Sequence, residues 1–198
     1  MEKILMIGGS PCAGKSTLSQ YLADLLEYQV IRVDDFMMEH IKKANGEDHP
    51  IMYQWQTKPW YELFSRPVSI QLKEEVEFYK EEWPMLKKDI YKLVKREGVI
   101  IEGCALLPSL VKELYPKAKI IYMVPTEAFQ KEKYKLRQWA FDLLKDAVSP
   151  QEAFNRWMDR DVGFAKYIKV NANNEGYPVI VMDGSESTEI LAQRLIKL

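Results

Sequence analysis

Several things are scarce in this chain, and each scarcity excludes a class of protein. Cys12 and Cys104 are the only cysteines among 198 residues. Far apart and in no metal-ligand spacing, they exclude a disulfide scaffold and a metal-cluster site, and they suit a reducing cytoplasm. The two histidines, His40 and His49, lack the supporting cysteine or carboxylate pattern of a metal site. No apolar run approaches the ~20 residues that a membrane-spanning helix needs. Met1-Glu2-Lys3 leads straight into a strand-like run without a signal-peptide pattern. Net charge is also nearly absent, with 28 basic against 29 acidic side chains, so nothing electrostatic favours a nucleic-acid or membrane partner. Repeats, low-complexity tracts and linker-like stretches are missing too. One domain over residues 1–198, apolar enough at 47% to bury a core, is the expectation.

What the chain does have is concentrated in residues 8–17, Gly-Gly-Ser-Pro-Cys-Ala-Gly-Lys-Ser-Thr. Gly9, Gly14, Lys15 and Ser16 fall on the spacing G-x-x-x-x-G-K-[ST] of a phosphate-cradling P-loop. Glycines allow a turn whose successive N–H groups point at phosphate oxygens, and the following helix adds the positive end of its dipole. The backbone through Cys12, Ala13 and Thr17 belongs to that cradle, Lys15 can reach the β- and γ-phosphates, and Ser16 can coordinate Mg²⁺. Context supports the motif. An apolar run from Lys3 to Gly8 precedes it, and Leu18, Tyr21, Leu22, Leu25 and Leu26 follow at helical spacing.

Five strand-like runs, Lys3–Gly8, Val30–Val33, Val99–Glu102, Lys119–Val124 and Val179–Met182, are separated by helical patterns. This alternation predicts an α/β fold with a parallel sheet covered on both faces. Two connections are long. The first, with its body at 36–97, carries Tyr53, Trp55, Trp60, Tyr61 and Phe64. It then shows helical spacing at Leu72, Val76, Tyr79 and Trp83 and again at Leu86, Ile90, Leu93 and Val94, with Pro84 starting or kinking the second part and Gly98 ending it. The rings either form an acceptor-binding region or pack the insertion onto the sheet. The second, 126–177, reads as two helices: one with a stripe of Leu136, Trp139, Ala140, Leu143 and Leu144, and one opened by a Ser149-Pro-Gln-Glu152 capping box. In the latter, Phe154, Trp157, Met158 and Ala165 share a face. Arg156 and Arg160, four apart, form either a phosphate clamp or a solvated basic stripe. Asp161, among apolar positions, needs an arginine partner.

Ligands of open parallel sheets bind at the carboxyl ends of strands. Two such ends carry acids: Asp34-Asp35-Phe36 and Glu102-Gly103. Glu102 would face Mg²⁺. Asp34 would accept a proton from an attacking hydroxyl, with Asp35 as its competitor. Cys12, near a helix N-terminus, would favour a thiolate open to oxidation, or is simply small enough to fit.

The P-loop, a strand ending in Asp-Asp-Phe, another ending in Glu-Gly and a late Arg-x-x-x-Arg-Asp together resemble the small P-loop kinases, a group that includes the uridine, shikimate, gluconate and nucleoside monophosphate kinases and chloramphenicol phosphotransferase. The resemblance implies a three-layer P-loop NTPase fold with a five-stranded parallel sheet ordered 2-3-1-4-5. It makes 36–97 an acceptor-side insertion and 126–177 a helical lid over ATP. It also implies Asp34 as acceptor base, Arg156 and Arg160 on the phosphates, Arg137 on adenine or phosphate, and Asp183-Gly184-Ser185 against the adenine. One departure matters: Glu102-Gly103-Cys-Ala-Leu-Leu-Pro108 lacks the arginine with which nucleoside monophosphate kinases hold their acceptor phosphate, and Arg32 or Arg66 would have to replace it. The resulting expectation is an ATP- and Mg²⁺-dependent cytoplasmic phosphotransferase acting on a small-molecule hydroxyl. A nucleoside or nucleotide kinase is one alternative. Another is a nucleotide-hydrolysing or nucleotide-sensing protein, although the Asn-Lys-x-Asp and Leu-Ser-Gly-Gly-Gln strings of GTPases and transporter ATPases are missing.

Overall fold

A computed structural model describes residues 3–196. The Met1-Glu2 start read above as leaderless lies outside them. Strands β1 (Ile4–Gly9), β2 (Gln29–Arg32), β3 (Val99–Gly103), β4 (Lys119–Pro125) and β5 (Val179–Met182) form one parallel sheet in the order β2-β3-β1-β4-β5. The expected order is the observed one.

The near-continuous apolar strands are explained by burial on both faces. Side chains alternate across a strand, so neighbours such as Ile100 and Ile101 enter different cores. Met6, Ile101 and Tyr122 pack on one side with Leu86, Ile90, Phe164 and Ile168. Ile7, Ile100 and Ile121 pack on the other with Leu18, Leu22, Leu191 and Leu195. The second layer is built by α1 (Lys15–Leu26) and by the last helix, Thr188–Ile196.

The first long connection contains α2 (Met37–Lys43), α3 (Pro50–Thr57), α4 (Trp60–Phe64) and α5 (Val68–Leu93). Pro84 neither starts nor ends a helix: α5 runs through it for 26 residues. An interior proline costs ~3 kcal/mol, and burial of Val76, Trp83, Leu86 and Ile90 on one face offsets that cost. Gly98 does not cap α5 either, since the helix stops at Leu93. Gly98 instead leads into β3, donating its N–H to the Lys3 carbonyl and accepting from Gln29 N.

After a short helix, α6 (Pro108–Val111), the second connection holds three helices rather than two: α7 (Glu127–Lys135), α8 (Gln138–Asp142) and α9 (Pro150–Asn174). The expected stripe is broken at Leu136, which follows α7 and is 76% exposed, while Ala140 and Leu144 are buried. Ser149 occupies the N-cap of α9 and Pro150 its first turn, but the capping box does not close. Ser149 makes no side-chain cap bond, and Glu152 pairs with Arg156.

The most consequential element is α9, because its two ends belong to different cores. Phe154, Trp157 and Met158 pack with Phe64, Tyr134 and Leu144, whereas Phe164, Ala165, Ile168 and Ala172 lie in the main core under the sheet. The second connection is therefore rooted in the core through one helix, and α7, α8 and the loop after α8 are its outer part.

Candidate active site

The carboxyl ends of β1 and β3 open on a cavity of about 460 Å³ whose floor is the P-loop, Pro11 through Thr17. Gly14 precedes α1 with φ +82°, a left-handed conformation that suits glycine. The Lys15 ammonium is buried across the loop, donating to the Ser10 carbonyl at 2.9 Å and to Cys104 Sγ at 3.3 Å. Burial opposes its charge, but the neighbouring Cys104, Asp34 and Glu102 outweigh burial and raise its pKa. This lysine stays an ammonium.

Ser16 and Glu102 meet. Glu102, opposite Ile7 in the sheet register, lies close enough to the Ser16 hydroxyl for that hydroxyl to favour its charged form. Burial raises the Glu102 pKa, with Ser16 and Lys15 acting against it. A hydroxyl and a carboxylate in contact are the hard oxygen donors that Mg²⁺ takes, with phosphate oxygens and water completing an octahedron. The residues present fit the ion.

Asp34 lines the cavity and Asp35 does not. The segment Val33–Phe36 is a 3₁₀ turn, not the extended run in which adjacent side chains point opposite ways. Asp34 Oδ1 accepts the Cys104 N–H at 2.8 Å. This approach needs Gly103, because a Cβ there would sit 2.6 Å from that oxygen and 2.3 Å from Val33.

Beyond Asp34 the walls come from the insertion and from α9. Trp55, Trp60 and Phe64 both line the cavity and pack on one another, with Trp55 5.3 Å from each of the other two ring centroids. These three rings line the cavity and pack with α9 and the other insertion helices, not on the sheet. Tyr53 and Tyr61 are not on the cavity wall.

The two arginines of α9 part company. Arg160 is buried on the wall, 2.7 Å from both Glu75 Oε2 and Asp161 Oδ1. Asp161 thus finds its arginine, and Tyr134 Oη donates to its other oxygen at 2.7 Å. Burial pushes Glu75 up to about 8 despite Arg160, with Asp161 and Asp34 adding to the rise. Arg156 instead lies in a neighbouring hollow with Tyr61 and Ser149, bonded to Glu152 and to the Ser65 carbonyl. Arg156 and Arg160 therefore do not form a clamp. Arg137 does reach the cavity, its guanidinium 4.9 Å from the Tyr134 ring and 5.9 Å from Trp139. The Asp183–Ser185 loop is off the wall: Gly184 packs against Phe129, and Asp183 accepts from Ser185. Arg32 and Arg66 are committed elsewhere, to Gln20 and Glu102 and to Glu74 and the Leu63 carbonyl.

Cys12 corrects the thiolate expectation. Burial raises its pKa, with only partial compensation from Arg137, so the thiol is the favoured form. Cys104 is held still higher by burial.

Sequence reasoning missed three residues, Glu75, Glu82 and His40. Glu82 lines the cavity and is paired with His40 Nδ1 at 2.8 Å, while His40 Nε2 faces Asp89 at 3.1 Å. Both partners accept, so an imidazolium satisfies both. The available signal was spacing: Glu75, Glu82 and Asp89 recur every seventh residue, one stripe of α5 beside its apolar face.

No family model matches this chain, and no curated protein matches it. Solved structures match it over its whole length. Shikimate kinase from Bacteroides thetaiotaomicron is 16% identical with a TM-score of 0.61, the match covering 100% of this chain and 98% of that one. Shikimate kinase from Acinetobacter baumannii in complex with shikimate is 15% identical at 0.55, covering 100% and 92%. A sugar kinase from Janibacter sp. is 16% identical at 0.51, covering 100% and 94%. At such identities the likeness is one of architecture: the five-stranded parallel sheet ordered 2-3-1-4-5, with helices on both sides, is the small P-loop kinase fold.

Proposed function

We propose that this protein is an ATP- and Mg²⁺-dependent phosphotransferase that moves the γ-phosphoryl group of ATP to a hydroxyl of a small molecule. The observation that carries the reading is the continuity of the cavity, which runs from a P-loop past Asp34 into a compartment walled by aromatic rings and by Glu75 and Glu82.

Lys15 and the backbone of residues 9–16 hold the β- and γ-phosphates, with the α1 dipole behind them. Ser16 and Glu102 hold Mg²⁺, which when bound neutralises charge on the phosphate oxygens. Arg137, stacked on Tyr134 and Trp139, covers the nucleotide. Asp34 orients the acceptor hydroxyl and takes its proton as the oxygen attacks phosphorus. The Cys104 N–H holds Asp34 Oδ1 in place, which limits the reorientation needed at that moment. Arg160 pairs with Glu75 and Asp161 in the acceptor wall. Phosphoryl transfer asks little covalent chemistry of a protein, so positioning and charge neutralisation make up most of the catalysis.

The test is ADP release from Mg-ATP with and without a pool of cellular small metabolites, with Lys15→Ala as control. Release that requires the pool and disappears in the control supports a kinase. Equal release without the pool turns the reading toward a nucleotide hydrolase, and none in either case toward a nucleotide-binding module.

A further inference from the structure

The charged groups of the acceptor compartment are unevenly matched. Arg160 is shared by two carboxylates, Glu75 and Asp161. His40 is shared by two more, Glu82 and Asp89. Asp34 adds a fifth. With Lys92, which also pairs with Asp89, three cations thus face five acidic groups, and of these Asp34, Glu75 and Glu82 line the cavity itself. The cavity's other cations, Lys15 and Arg137, stand at the P-loop, where their charges act on the thiol of Cys12, and a triphosphate claims them. Arg32 and Arg66 are taken up by other partners, off the cavity wall. Burial raises the pKa of the wall acids Glu75, to about 8, and Glu82, so a cation beside them would stabilise their charge, whereas an acceptor bearing a carboxylate or phosphate would meet no uncommitted cation to receive it.

The remaining wall is aromatic: Trp55, Trp60, Phe64, Phe78, Tyr79 and Trp157. Ring faces attract cations through their quadrupole. One cation already uses this wall, since the Arg160 guanidinium lies 5.5 Å from the Phe64 ring centroid.

We propose, on the basis of the phosphotransferase reading above, that the acceptor is a hydroxylated amine: its hydroxyl meets Asp34, and its ammonium is held between the aromatic wall and the carboxylates Glu75 and Glu82. The compartment selects by charge. It attracts a cation through the rings and through the buried Glu75 and Glu82, and it offers an anion of the same size no free cation.

The experiment separates cellular small metabolites by ion exchange at neutral pH into cationic, neutral and anionic fractions. ADP release from Mg-ATP is followed with each, alongside Lys15→Ala. Release confined to the cationic fraction is expected. Release with the neutral or anionic fraction overturns the amine assignment and leaves the kinase reading standing. Release with no fraction, or equally without any, removes the kinase reading and this inference with it.

A second readout uses the active fraction with two hydroxyl-free probes of similar size. Phenyltrimethylammonium should compete with the acceptor and phenylacetate should not; equal competition by both overturns the proposal. Glu82→Gln and Glu75→Gln should each raise the acceptor KM about tenfold, with the ATP KM moving less than about twofold, the energetic equivalent of losing one favourable ion contact. A variant that fails to fold leaves the probe competition to decide.

Discussion

On one side of the cavity most of the wall comes from one stretch, Pro11 to Thr17. On the other side Asp34, Trp55, Glu75, Glu82 and Arg160 arrive from three helices and a turn. The two sides also differ chemically. The P-loop side presents backbone and a single lysine, and so depends on glycines and a helix start. The other side presents side chains whose charges meet in a buried space. A local motif can specify the first. The second exists only once α5 and α9 lie against each other.

Variants can break this contrast, and the largest expected effect is on the chemistry that joins the two sides. Asp34→Asn should lower transfer about 10²–10⁴-fold, the usual contribution of a positioned general base. ATP affinity should stay near that of the parent, as measured by titration with a fluorescent ATP analogue. Unchanged turnover would remove Asp34 from the mechanism.

The next effect is on folding. Arg160→Met leaves Glu75 and Asp161 buried together without their shared cation. Breaking a buried pair in this way costs about 3–5 kcal/mol, a fall in Tm of roughly 10 °C for a chain of this size. Thermal denaturation measures it, and a fall of less than a degree would mean that the two acids are held by other means.

A smaller effect sharpens the charge argument through pH. Burial opposes the charge on His40, but its hydrogen bonds with Glu82 and Asp89 outweigh burial and raise its pKa above 6.5. Burial likewise raises the pKa of Glu82. The folded chain therefore binds protons that the unfolded chain releases. The His40 contribution to stability is complete below the unfolded value of about 6.5, and it is lost as pH rises through the higher folded value. His40→Gln should accordingly lower Tm most at about pH 6 and progressively less in alkaline buffer. A Tm difference that is flat with pH would show that His40 is neutral in the fold.

The smallest effect separates the two arginines of α9. Arg156 sits partly exposed in the neighbouring hollow, paired with Glu152. Arg156→Ala should change stability by less than about 1 kcal/mol and leave turnover within about twofold. A large loss of turnover would bring Arg156 to the phosphates, as the family resemblance implies, through a rearrangement of the lid.

Read in order, the chain was most legible where neighbours in sequence are neighbours in space. The P-loop, the five strands and the acids closing β2 and β3 follow from local patterns, because hydrophobic alternation and glycine spacing act over a few residues. Arg156 and Arg160 seemed equivalent by spacing and are not. Four residues along a helix turn a side chain by about one ninth of a circle and advance it by one turn, enough to place one guanidinium in the cavity and the other outside it. Pro84 was misleading for a related reason: its local cost is offset by burial that only the folded core supplies. Leu136 and the open capping box at Ser149 are similar cases, decided by where α7 and α9 pack.

Residue types and their spacing were thus enough for the sheet, its order once the family resemblance was admitted, and the glycine loop between β1 and α1. The charge and shape of the acceptor compartment were not available in that way. Glu75 and Glu82 read as ordinary helix-surface acids until α9 brings Arg160 to one and α2 brings His40 to the other. Burial then turns solvated charges into groups that must be paired, and pairing across the fold is set by which helices touch.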